Sequence, residues 1–452
     1  MPSSSLIKLR VLSDKNINAN SERASVEIYR PFFISGIICV LTVGCLLGAI
    51  ALFGIGMNAN YTLSSLTPYI MAHANSQLYG WVGLFIMGFA MQQHAPSISK
   101  AVLFHRLAWF ALISMALGIA LRFVAEPMVT INTQPWLTIG VVSCYLQILA
   151  VCAFIFNVGY TRHPIGPLTW QTKFVFASLV WWLIIVFIEP YFFMMSHQVQ
   201  QEANTLFISH WFTPYREAQF LGFVTQMIFG VALIKFHTCF GTKEALKSIG
   251  NIGFYFWNAG LIMRIYGWHI SYQSNHEPIH RFLLHFGTLF MFIGGLLLIL
   301  NTRVFEKVSE HLRSHKFLRA ALFWFGVALL LMLIEPLHLY FIGAPFSHAY
   351  TGAIRHALTV GFISQMIIGV SLLMVARMND LNIDVLPKLW SVFWLLNIGN
   401  TLRVGFEIAT DYTTTAFLPM GFTGFIELIA LAIWGFHIYS MIFVKKKVAY
   451  AT

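Results

Sequence analysis

Histidine is the residue type with the clearest chemical potential in this chain. Seventeen occur among 452 residues. Three of them, His73, His285 and His356, fall inside long apolar runs at comparable depth, on the order of 5–10 Å from the run's end at 1.5 Å per helical residue. Imidazoles at one depth on separate helices can approach one another or clamp a flat macrocycle from both faces. Neutral imidazole is an axial ligand of haem iron and also suits copper. These three are therefore candidate ligands for haem b or, secondarily, copper. His276 and His280 stand four apart and could share one metal on a helical turn, or could cap the helix that follows. Taken singly, a histidine in such a place is more often interfacial than ligating.

Ionisable residues inside apolar runs are costly and usually functional. Arg122, Arg216, Arg264, Arg281, Arg355 and Arg403 all lie at run ends away from the other basic residues. Interfacial snorkelling accounts for any one of them. Six gathered on one side suggest a shared anion, such as the propionates of a haem held by Arg122, Arg264, Arg355 and Arg403. Glu427 sits near the middle of its run and is the candidate proton carrier. Gln147, His285 and Glu427 occupy roughly corresponding places in their runs. The Glu-Pro pairs at Glu126, Glu189 and Glu335 read as helix terminators.

These residues need elements to position them. The chain is 58% hydrophobic and 10% charged, against roughly a quarter charged in soluble proteins. That excludes a soluble globular protein, a disordered chain and a disulfide scaffold. Apolar runs recur at 32–57, 70–93, 102–122, 135–160, 172–195, 214–236, 248–268, 279–301, 318–342, 352–376, 389–406 and 417–443. Each can cross the hydrocarbon core and must be helical to do so. The expected fold is all-α: one twelve-helix membrane domain over 31–443, with a polar tail over 1–30 and a basic tail over 444–452. The first run lacks a cleavage site and reads as a retained helix. Of 28 Lys and Arg, 22 fall in the two tails and the even-numbered loops. Positive-inside bias then places both termini in the cytoplasm of a bacterial inner membrane. It also accounts for the net charge of +11 without any nucleic acid; the bilayer is the partner implied. The five cysteines form no C-x-x-C pair, so neither a zinc ribbon nor covalent haem is signalled.

The runs also repeat. QLYGWVGLFIMG, QFLGFVTQMIFG and LTVGFISQMIIG carry glycine pairs at Gly80 and Gly88, Gly222 and Gly230, and Gly361 and Gly369. Thirty-eight residues beyond the first of each pair stand Gly118, Gly260 and Gly399, and four further on Arg122, Arg264 and Arg403. The period is four helices, an even number. Repeats over about 31–160, 172–301 and 318–443 therefore share one orientation and suit a pseudo-threefold arrangement, unlike the inverted repeats of many transporters. The glycines themselves read as close helix packing.

Three segments resemble the NnrS family, bacterial membrane proteins associated with the response to nitric oxide. RHALTVGFISQMIIGVSLLMVAR (355–377) is similar to that family's HALTVG helix. LLHFGTLFMFIGGL (283–296) is similar to its Leu-His-Leu-Gly-Tyr stretch, and HANSQLYGWVGLFIMGF (73–89) to its His-x-His-Glu-x-Leu-x-Gly-Phe helix. The resemblance implies bound haem and copper, and sets His73, His285 and His356 on family histidines. Asn75 and Ser76 depart from it, standing where the family has a second histidine and an acid. The three-by-four layout also resembles the catalytic subunits of haem–copper oxidases and nitric oxide reductases. Their paired histidines are missing here, which disfavours a standard binuclear centre.

The expectation that follows is a b-haem protein of nitric oxide response or nitrosative-stress tolerance. His73 and His356 form the axial pair, and His285 is a third ligand. Any catalysis would be one-electron chemistry on nitric oxide or a quinol, with a quinol or a protein as electron donor. The alternatives are a cofactor-free anion transporter or channel, and an accessory protein that assembles a membrane oxidase.

Overall fold

The computed structural model describes residues 28–61, 65–96, 100–161, 168–197, 201–240, 243–274, 277–307, 312–382 and 386–443. The tails over 1–27 and 444–452, together with His276 and Arg162, lie outside the described residues. Among the described residues every regular element is helical.

The helices, in chain order, are α1 (Tyr29–Asn58), α2 (67–93), α3 (Ala101–Val129), α4 (Thr133–Thr161), α5 (Trp170–Ser196) and α6 (201–240). They continue with α7 (Lys247–Gln273), α8 (Phe282–Thr302), α9 (His315–Ile342), α10 (His348–Met378), α11 (Trp390–Ala409) and α12 (Phe417–Ile442). Eight of these, α1, α3, α4, α5, α8, α9, α10 and α12, are long and apolar enough to cross a membrane. The protein is an all-α membrane protein. The other four, α2, α6, α7 and α11, carry polar side chains such as Asn75, Gln219, Arg264 and Asn400, and the protein interior buries these.

Several helices outrun their apolar runs. Helices α3, α5 and α9 continue through Pro127, Pro190 and Pro336. The Glu-Pro pairs are therefore not terminators. Neighbouring helices in a packed membrane bundle offset the backbone hydrogen bond that proline removes. The glutamates beside these prolines are left inside the protein, close to arginines.

Among the described residues four helices are widened by a π-helical stretch: Val40–Gly44 in α1, Ser76–Gly83 in α2, Ala218–Val224 in α6 and Ala357–Ser364 in α10. Such stretches cluster at functional sites because they re-aim side chains and free a carbonyl. Those in α2, α6 and α10 hold the first motif glycine of each run, and each glycine admits a neighbour. A Cβ would strike Cys39 of α1 at Gly80, Trp181 of α5 at Gly222 and Trp324 of α9 at Gly361. The glycines thirty-eight residues further on act alike. Gly118 lies against Ser143 and Gln147 of α4, Gly260 against Gly287 and Met291 of α8, and Gly399 against Ile426 and Glu427 of α12.

Candidate functional site

The polar groups of this bundle gather near one end of α3, α7 and α11, in three groups. In the first, Arg122 of α3 holds Glu126 (Nε to Oε1, 2.5 Å) and Glu189 of α5 (Nη2 to Oε1, 3.0 Å). A third hydrogen bond runs from Arg122 Nη1 to Cys144 Sγ at 3.0 Å, and the guanidinium lies 4.3 Å over the Phe193 ring. His197 ends α5 with Nδ1–H donated to the Phe193 carbonyl (2.8 Å) and Nε2 2.9 Å from Glu126 Oε2. The Tyr215 hydroxyl donates to Glu189.

The second group centres on Arg264 of α7. Its Nε donates to Glu217 of α6 at 2.8 Å, Nη1 to the Thr288 hydroxyl at 2.5 Å and Nη2 to Glu335 of α9 at 3.3 Å. His285 of α8, half-buried, lies within electrostatic reach of Arg264, Arg281 and Glu335. It belongs to this group.

The third group joins α10, α11 and α12. Arg403 Nη2 lies 3.2 Å from Glu407 Oε1 and 3.4 Å from His356 Nε2. His356 Nδ1–H donates to the Gly352 carbonyl at 2.9 Å, with Glu407 Oε2 3.1 Å away. Glu427 is buried, its Oε1 lacks a hydrogen-bond partner, and it feels the charges of His356, Arg403 and Glu407.

His73 approaches this third group from α2. Its Nδ1–H donates to the Gly44 carbonyl (2.8 Å), an acceptor inside the π-helical stretch of α1. The ring rests over Gly48, where a Cβ would overlap it. His73 lies within electrostatic reach of His356, Arg216 and Arg403. With Nδ1 engaged, the Nε2 lone pair is exposed along a fixed direction, and no other described side chain takes it. That is how a protein orients a ligating imidazole.

The sequence-derived residues thus divide. His73, His356, Arg403 and Glu427 come together; His285 and Arg264 sit in the neighbouring group, and Arg122 in the one beyond. Arg355 lines a cavity beside the second group with Arg216. His280 is an exposed residue 3.4 Å from Glu277. Asn75, at the departure from the histidine motif, makes a reciprocal amide pair with Gln147 (3.2 and 2.9 Å). Among the described residues no three His, Cys, Asp or Glu side chains converge as a metal cage. Sequence reasoning read Glu126, Glu189 and Glu335 only as helix terminators and passed over Glu217 and Glu407, though all five are counter-charges. Two of these were legible, since Glu126 and Glu407 stand four residues after Arg122 and Arg403, the helical ion-pair spacing.

No protein-family model and no curated protein matches this chain. Function is therefore argued from geometry.

Proposed function

We propose that this chain is a membrane haem protein in which His73 of α2 and His356 of α10 hold a noncovalent b-type haem. The observation that carries the reading is the His73 imidazole, oriented through Nδ1 with Nε2 left available. His356 is a conditional partner: its Nε2 faces Arg403, so ligation requires that guanidinium to turn toward Glu407. Arg122, Arg264 and Arg403 already have protein carboxylates, so Arg216 and Arg355 are better placed to receive a propionate. A bound haem would supply one-electron chemistry. The chain's own part is to fix the His73 ring through Gly44, to exclude water with the apolar walls of the bundle, and to offer Glu427 as a buried proton acceptor beside His356. The NnrS resemblance supports nitric oxide as the ligand or substrate, and a response to nitrosative stress as the setting.

The same proposal includes the architecture: twelve passes in three parallel repeats of four, with both termini in the cytoplasm of a bacterial inner membrane. Recurrent glycine crossings of α1 with α2, α5 with α6 and α9 with α10 support it. So does the matching position of Arg122, Arg264 and Arg403 near the C-terminal ends of α3, α7 and α11.

The deciding experiment is a reduced-minus-oxidised visible spectrum of the detergent-purified protein from haem-supplied cells, with pyridine haemochrome analysis. A Soret band that His73→Ala removes, while the variant stays monodisperse, is the expected result. A colourless protein with an intact fold overturns the reading.

A further inference from the structure

Between α6, α7, α9 and α10 lies a cavity of about 30 Å³. At roughly 10–15 Å³ per water, it has room for two water-sized occupants. Its charged lining is Arg216, Arg264, Arg355, Glu217 and Glu335, an excess of one positive charge. Arg264 engages both glutamates. Arg216 donates to the Gln219 side-chain oxygen (2.7 Å) and to Met71 Sδ (3.6 Å), with no carboxylate of a described residue in contact. No hydrogen bond or ion pair from a described residue reaches the Arg355 guanidinium. On the same wall, the Thr351 hydroxyl is buried without a partner. The nearby carboxylates that could answer Arg216 and Arg355 are committed elsewhere: Glu189 to Arg122 and Tyr215, Glu407 to Arg403. Two partly buried guanidinium groups of like charge line one small space, and like charges held close without a counter-ion are unfavourable.

We propose that this cavity is a binding site for one small monovalent anion, the size of chloride, nitrite or formate, held by Arg355, Arg216 and the Thr351 hydroxyl. One such ion brings the lining to neutrality. Glu217, on the same wall, has an Oε2 that also lacks a donor. The ion comes from solution or is the carboxylate of a bound group; both present the same chemistry to Arg355.

The test uses the full-length protein in detergent, with chloride, nitrite or formate replacing gluconate at constant ionic strength. Binding to the folded state alone raises the thermal midpoint with ligand concentration. A saturable rise of a few degrees is expected for the small anions and none for gluconate. Arg355→Gln should abolish the dependence, and Thr351→Val, which keeps every charge, should weaken binding several-fold. If the rise appears only after a bound chromophore is stripped, the site stands and its native occupant is that group's carboxylate. A midpoint equal in all four anions, before and after stripping, overturns the proposal, as does an undiminished response in Arg355→Gln. A colourless protein that still binds chloride would sink the haem reading and leave this site intact.

Discussion

Arg122, Arg264 and Arg403 are held by acids that the chain itself provides, and their energetics follow from that. Arg122, Glu126 and Glu189 are almost wholly removed from solvent, with side-chain exposures of 6% or less. Removing the single cation strands two carboxylates in a medium where each unpaired charge is expensive. Arg122→Leu is therefore expected to destabilise the protein by about 3–5 kcal/mol. The Arg122→Leu/Glu126→Gln double variant should recover part of that, because one stranded charge is gone. Urea unfolding in mild detergent measures both, and equal stabilities for the single variant and wild type would dismiss the argument. Gly48→Val belongs to the same scale. Its side chain would occupy the space of the His73 ring, so it should cost the chromophore as His73→Ala does, at an overpacking cost of about 1–3 kcal/mol. A Soret band unchanged in Gly48→Val would show that His73 is not held as described.

At the scale of elements, close helix approach governs. Gly260 of α7 and Gly287 of α8 face each other so tightly that a Cβ on either would meet the other's backbone. In a membrane, where lipid is as apolar as the helices, this contact replaces the hydrophobic drive toward association. Gly260→Val should part the two helices at a cost of roughly 1–3 kcal/mol and shift Arg264 away from Thr288. Gly405, beside which a Cβ would meet nothing, should accept alanine without penalty. If both variants melt together, the crossing is not tight. The π-helical stretches are also element-scale facts. Local sequence gives no periodicity that distinguishes them from α-helix.

At the scale of the whole molecule, the proposed orientation rests on charge asymmetry. With 22 of 28 basic residues in the tails and alternate loops, a fluorescent protein fused after Thr452 should fold and emit. Alkaline phosphatase fused there should stay inactive, yet be active when fused after His197, on the opposite side. The reverse pattern would invert the topology and place the polar groups near the cytoplasm. Helices too polar for lipid by themselves, such as α7 and α11, are shielded by the more apolar ones, so the bundle tolerates inner charges that no isolated helix could carry.

What the sequence alone determined was coarse and depended on local or periodic signals: a helical membrane protein, the glycine periods, and the residues worth testing. Apolar length and spacing survive without a partner, since each follows from the chain's own transfer energy and helical pitch. Tertiary structure decided who meets whom. It carried α3, α5 and α9 through their prolines, turned the Glu-Pro acids into counter-ions for Arg122 and Arg264, and set His285 apart from His73 and His356. Those outcomes depend on pair energies between residues far apart in the chain. Such energies exist only once desolvation forces each buried charge to find an opposite one within a few ångströms.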